Sequence, residues 1–226
     1  MNALNIKTAR IFGIFFLFSF VSYAVGNGLI ESVIAAPESL ANISAHKMQV
    51  ISGAVLIALF HTFFNTGLAV AMHSAIQPQN KPFANAYLSV ALISTLLLAV
   101  GAIFLLLLLP LSEEFIRAGA SGGSYFQTLS LLCKKGNFFA YQIGMAIWGM
   151  GGLVLCYVLY ESRLVPRPLL ILGFWGYVIF IAGTLAELLG NAVGVMLSIP
   201  GGLFEIALSV WLIVKGFNTD GRAVNK

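Results

Sequence analysis

Charge is the scarcest thing in this sequence. Of its 226 residues only 9% are Asp, Glu, Lys or Arg, against about 25% in a typical soluble domain. A water-facing surface needs more than that, so a soluble globular fold is excluded. Lys and Arg number 12 and Asp and Glu 8, but the basic excess is scattered. No basic patch forms, and nucleic acid is not an expected partner. Cysteine is rarer still. Cys133 and Cys156 stand outside any CxxC or CxxCH pattern, and Cys156, inside an apolar run, reads as an inert buried thiol.

Enzyme signatures are missing too. The chain has no GxSxG, HExxH, Walker A or GxGxxG stretch, and no acidic pair on one helix spaced for two metals. No metal and no cofactor is expected. The two halves show no convincing inverted repeat, which weakens a secondary-transporter reading.

What the chain has in abundance is apolar length: 59% of residues are hydrophobic, 18 of them Phe. Six runs approach or exceed the ~20 residues that cross a bilayer. They lie at about 9–30, 49–76, 83–110, 137–160, 169–190 and 200–217. "QPQNKP" (77–82) and "ESRLVPRP" (161–168) separate spans with turn and proline chemistry. The runs lack ten-residue alternation, so they are helices and not barrel strands. The expected fold is all-α: one integral membrane domain over 1–226, a six-helix transmembrane bundle in the bacterial inner membrane. The first run, with Lys7 and Arg10 before it and "VIAAPES" after it, has some features of a signal peptide. Its ~20 apolar residues and the five runs that follow favour a retained span.

Lys and Arg also set the expected orientation. With both termini cytoplasmic, the inner side holds Lys7, Arg10, Lys81, Arg163, Arg167, Lys215, Arg222 and Lys226, and the outer side Lys47, Arg117, Lys134 and Lys135. Eight against four favours that arrangement. Two outer loops then exceed simple turns: 31–48, with Glu31, Glu38 and His46, and 111–136, with "GASGG" at 119–123. Tyr125, Phe126, Leu129 and Leu132 follow with helical spacing, which suits either a short interfacial helix over 124–134 or a flexible loop.

Polar residues inside the apolar runs are the candidate site. Counting ~1.5 Å per residue, Glu187 sits about 5 Å and Glu205 about 8 Å below the outer surface, on adjacent antiparallel helices. Gln142 falls about 9 Å down the fourth helix by the same rise. Tyr23 and Asn27 lie towards the outer end of the first, and Asn191 in the last outer turn. These six residues are compatible with a small outer-leaflet cavity for a small amphiphilic ligand. They are equally compatible with Glu205 serving a helix start and Glu187 reaching up to water.

His61 and Asn65, one turn apart in "LFHTFFNTGLAV", lie near mid-bilayer on the second helix, about 18 Å down for His61. Interhelical hydrogen bonding, a ligand role or proton relay would each suit an imidazole there. One His makes no metal site, and His46 and His73 lie too far from mid-depth for bis-His haem ligation. The glycines of "GMAIWGMGG" (144–152) read first as close helix packing and second as a ligand groove.

The stretches "TARIFGIFFLFSFVSYAVG", "YESRLVPRPLLILGFWGY" and "FEIALSVWLIVKGF" resemble the bacterial membrane-protein family catalogued as domain of unknown function 4386. The resemblance rests on Tyr157, Tyr160, Ser162, Pro166 and Arg167 at the fourth-to-fifth turn, and on Glu205, Trp211, Lys215 and Gly216 in the last helix. It covers nearly the whole chain and implies a multi-helix integral membrane protein with no established activity.

Three functions follow as expectations. The first is a non-enzymatic protein in the lipid bilayer that binds a small amphiphile or a membrane-protein partner. The others are a membrane-embedded enzyme using His61 or the Glu187/Glu205 pair for proton transfer, and a small transporter.

Overall fold

The computed structural model describes residues 3–36, 39–119 and 123–218, and its described elements are all helical. They are α1 (Ala3–Ile34), α2 (Ser39–Ala45), α3 (Lys47–Val55), a π-helical turn (Leu56–His61), α4 (Thr62–Ile76), α5 (Lys81–Leu106), α6 (Leu108–Arg117), α7 (Gly123–Ser162), α8 (Arg167–Leu188) and α9 (Gly194–Val214). Among the described residues six stretches are long and apolar enough to cross a membrane: Ile6–Ile34, Lys47–Ile76, Lys81–Arg117, Gly123–Ser162, Arg167–Leu188 and Gly194–Val214. Large apolar side chains stand on their outer faces, among them Phe63, Leu96 and Leu203 at more than 60% exposure. Such surfaces suit lipid and not water. The protein is a multi-pass membrane protein.

Several boundaries differ from the sequence reading, each for a local reason. Pro110 lacks the N–H that Leu106 O would accept. The third run accordingly breaks at Leu107 into α5 and α6. The stretch 124–134 is helical but not a separate element: it forms the first turns of α7, which runs unbroken for 40 residues. Gly136 costs about 1 kcal/mol of helix propensity at that junction. The ring of Phe104 packs where a Cβ at Gly136 would stand, so tertiary contact keeps the turn helical. Most of 31–48 is also helical, in α1, α2 and the start of α3; Glu38 lies outside the described residues. The last helix starts at Gly194 and not near Pro200, which sits within it.

The chain divides into two compact units. One comprises Met1–Phe18, Phe64–Thr95 and Gln142–Lys226. Its core includes Phe12, Leu68, Met72, Leu159, Leu170 and Phe204. Within it α8 and α9 run antiparallel and approach through glycine: a Cβ on Gly173 would meet the Phe204 ring at 2.5 Å, and one on Gly176 would meet the backbone of Gly201 at 3.1 Å. Small residues at such crossings let helices pack in lipid, where apolar burial alone gives little drive.

The other unit comprises Ser19–Phe63 and Leu96–Tyr141. Ile30, Val33, Ile43, Val50, Leu105 and Leu108 belong to its core. Here α1 and α3 touch at Gly26 and Gly53, each placed so that a Cβ would strike the other's carbonyl oxygen, at 2.7 and 2.6 Å. Lys47 pairs with Glu113 at 2.6 Å, and Lys134 donates to Ile34 O at 2.9 Å and Ser39 Oγ at 3.2 Å.

Candidate functional site

Glu205 is the one buried carboxyl among the described residues. Because α9 begins at Gly194, Glu205 lies about 16 Å along the helix, close to its midpoint and twice as deep as a start at Pro200 implies. Trp148 Nε1 on α7 donates to Glu205 Oε1 at 2.7 Å, and the Tyr177 hydroxyl on α8 donates to the same oxygen at 2.9 Å. Oε2 accepts no hydrogen bond among the described residues. Glu205 retains only 9% of its surface, and Tyr177 2%.

Two further groups stand near. Tyr87 on α5 is within electrostatic reach of Glu205 and Tyr177. Its hydroxyl is buried and has no hydrogen-bond partner among the described residues. The buried Cys156 thiol on α7 is also within electrostatic reach of Glu205. The glycines of "GMAIWGMGG" explain how the donors fit. Gly149 leaves room for Ile181, and Gly152 for the Tyr177 ring. Close packing and site construction are thus the same feature here.

The sequence reading missed Trp148, Tyr177 and Tyr87. A signal was available: Trp and Tyr favour membrane interfaces, whereas Trp148 and Tyr177 sit mid-run. A buried indole N–H or phenol there needs an acceptor, and Glu205 is the nearby apolar-run residue able to supply one.

Glu187 does something else. Its Oε1 accepts from the backbone N–H of Gly194 at 2.7 Å, satisfying one orphan donor at the start of α9. Tyr177 and Glu187 are separated by about 15 Å along α8 at ~1.5 Å per residue. The two carboxylates therefore work at different levels and share no partner among the described bonds. Asn191 is exposed in the connecting turn, where its N–H bonds to Ala186 O at 3.0 Å. Gln142 is buried on α7, roughly 9 Å along the helix from Trp148.

Tyr23 and Asn27 belong to the second unit, both half-buried. The Tyr23 ring stacks on Tyr141 with centroids 5.7 Å apart and meets the His61 ring edge-on at 5.4 Å. The bonds and ring contacts give Glu187, Glu205, Asn191 and Tyr23 different partners.

His61 closes the π-helical turn, a feature with no signature in "LIALFH" and one often found at functional sites. Its Nδ1 lies 3.0 Å from Ser19 Oγ and 3.2 Å from Ser19 O. With a proton on Nδ1 the ring donates to Ser19 O and leaves a lone pair at Nε2; with the proton on Nε2, Nδ1 accepts from Ser19 Oγ. Nε2 is buried without a hydrogen-bond partner among the described residues. Asn65 donates through Nδ2 to Thr95 Oγ1, which donates in turn to Ala91 O at 2.7 Å. Among the described residues no three His, Cys, Asp or Glu side chains group as metal ligands.

A family model described as a domain of unknown function (DUF4386) matches residues 11–216. No curated protein and no solved structure matches the chain. The matched span begins in α1 and runs past the end of α9, taking in Tyr87, Trp148, Tyr177 and Glu205, and the protein belongs to the DUF4386 family.

Proposed function

We propose that this protein is a non-enzymatic, multi-pass component of the bacterial inner membrane, both termini cytoplasmic, that binds a small amphiphile at Glu205. The orientation rests on the eight Lys and Arg assigned inside against four outside. The binding role rests on one observation: a carboxyl halfway along an apolar helix, held by two donors on one oxygen while the other oxygen accepts nothing among the described residues. Ionisable groups so placed are costly, and binding or ion coupling is their usual reason for being there. Tyr87 adds a buried hydroxyl without a partner among the described residues. An amphiphile would offer a polar head to these groups and leave its tail in the bilayer.

Thermal unfolding of the detergent-solubilised protein tests this. Single-chain amphiphiles with amine, alcohol and carboxylate heads are each titrated against wild type and Glu205→Gln. A ligand that binds only the folded state raises the midpoint in a saturable way, by about 2.7 kcal/mol of stabilisation at a hundredfold excess over its Kd. Saturable stabilisation by at least one class in the wild type, weakened in the variant, is the expected result. No stabilisation by any class would overturn the reading.

A proton-transfer role in an enzyme or small transporter is the second reading. The buried His61 Nε2, without a hydrogen-bond partner among the described residues, favours it, because an imidazole nitrogen so placed is suited to passing a proton. Proton flux in proteoliposomes that disappears in His61→Gln would support it over simple binding.

A further inference from the structure

We propose that the chain holds an anionic phospholipid where the turn between α7 and α8 meets the end of α9, with its phosphate on Arg163 and Arg167 and its acyl chains along α8. The site goes beyond the role assigned to Glu205 and does not rest on it. Lys215, just after α9, is about 15 Å along the helix from that carboxyl at ~1.5 Å per residue.

Hydrogen bonds gather the cations. Asn218 donates through its backbone N–H to Leu164 O at 2.8 Å and through Nδ2 to Arg163 O at 3.2 Å. The segment after α9, Lys215 included, is thereby tied to the α7–α8 turn. Arg10 on α1 joins the same end, donating through Nε to Ile213 O at 3.2 Å. Arg10, Arg163, Arg167 and Lys215 are all exposed there, within one unit. Neither ion pair among the described residues involves them, since Lys47 pairs with Glu113 and Arg117 with Glu114. Like charges so gathered repel one another, and an anion relieves that repulsion.

Two details point to a phosphate. Arg163 has φ 53°, in the left-handed region where glycine is the usual residue. A long cationic side chain kept at such a position is an outlier of the kind that function retains. The Arg167 guanidinium carbon lies 4.7 Å from the centroid of the Tyr160 ring. Held against the ring, the guanidinium loses freedom but keeps an N–H edge that matches two phosphate oxygens.

The acyl chains follow from α8. Arg167, Ile171, Trp175 and Val178 recur at i, i+4, i+8 and i+11, and all four are exposed. One helix face therefore carries a guanidinium at its start and an apolar stripe for roughly 16 Å beyond it, about half of a ~30 Å hydrocarbon core. A free phosphate ion would leave that stripe unused. A choline headgroup would bring a cation of its own to the cluster.

The full-length protein in a neutral detergent is titrated with dioleoyl phosphatidylglycerol, dioleoyl phosphatidylcholine and glycerol phosphate, with the unfolding midpoint as the readout. Phosphatidylglycerol should raise the midpoint saturably, at a concentration at least about tenfold lower than phosphatidylcholine needs, the worth of one charge-assisted hydrogen bond. Glycerol phosphate, which has the headgroup and no tails, should do nothing at those concentrations. Arg163→Gly removes the cation and relieves the backbone, so its midpoint without lipid should not fall, while its preference for phosphatidylglycerol falls several-fold. Arg167→Gln should lose the preference too, and serves if Arg163→Gly folds poorly. Lys135→Gln, in the other unit, should leave the preference intact. No response to phosphatidylglycerol, equal responses to the two lipids, or an equal response to glycerol phosphate overturns the proposal. So does a preference that survives in both Arg variants, or one that Lys135→Gln reduces as much as they do.

Discussion

The ring of Tyr177 occupies the space that a side chain at Gly152 would fill. That arrangement lets α7 and α8 approach closely enough for the Tyr177 hydroxyl and the Trp148 indole to meet on one oxygen of Glu205. Gly152→Ala therefore forces the ring aside or the helices apart. Overpacking of this kind costs about 1–3 kcal/mol, and the displacement should also disturb the indole. A lowered unfolding midpoint together with a changed Trp148 fluorescence spectrum, read in a background with Trp175 and Trp211 replaced by Phe, is the expected outcome. An unchanged midpoint and spectrum would mean that residue 152 does not position Tyr177.

Replacing Glu205 separates acceptor from charge. Glu205→Gln retains an oxygen for both donors and should cost under about 1 kcal/mol. Glu205→Leu leaves an indole N–H and a phenol O–H buried without an acceptor, each worth roughly 1–3 kcal/mol. Thermal unfolding in one detergent compares the two. Equal, small losses would show that Glu205 is not the acceptor for these donors.

Much of this was legible in the sequence and some was not. The six apolar runs, the turn at "QPQNKP" and the proline-marked break at "ESRLVPRP" follow from bilayer thickness and backbone chemistry, which act locally. The start of α9 does not, because Pro at a helix start is the common pattern while here Pro200 lies inside α9. Gly201 packs against Gly176, and Glu187 serves the true start at Gly194. That one misplacement moved Glu205 from mid-helix to a shallow level and made it look like a neighbour of Glu187. The π-helical turn at Leu56–His61 arises from packing between segments and leaves no local mark. The donors to Glu205 come from α7 and α8, so only the assembled fold brings them together.

The tautomer of His61 is open to direct measurement. The proton-transfer reading requires Nδ1–H to donate to Ser19 O, 3.2 Å away, so the Nε2 resonance should show the shift of an unprotonated ring nitrogen. Nitrogen-15 NMR of ring-labelled protein, with His46 and His73 replaced, reads it at neutral pH. A protonated Nε2 would remove the lone pair on which the proton-transfer reading depends. His61→Leu should cost about 0.5–1.5 kcal/mol, the net value of a typical hydrogen bond.

Topology is tested by labelling. Glu161 is exposed at the end of α7 and is expected on the cytoplasmic side. Glu161→Cys, in a background with Cys133 and Cys156 replaced, should react with a membrane-impermeant maleimide only after the inner membrane is opened. Cys133 alone should react from outside. Reversed labelling would invert the orientation.

Glu187 and Glu205 give the last test, because distance predicts how their effects combine. Glu187→Ala removes the acceptor for Gly194 N–H at the start of α9, a cap worth about 0.5–2 kcal/mol. Glu205→Leu acts on Trp148 and Tyr177, about 15 Å further along the same helix pair. Changes that far apart, with no shared partner, add within ~0.3–0.5 kcal/mol. The double variant should therefore lose the sum of the two single losses. A coupling above about 1 kcal/mol would mean that the carboxylates act together, as residues in contact or in one network do. It would restore the single shared site that their separate hydrogen-bond partners argue against.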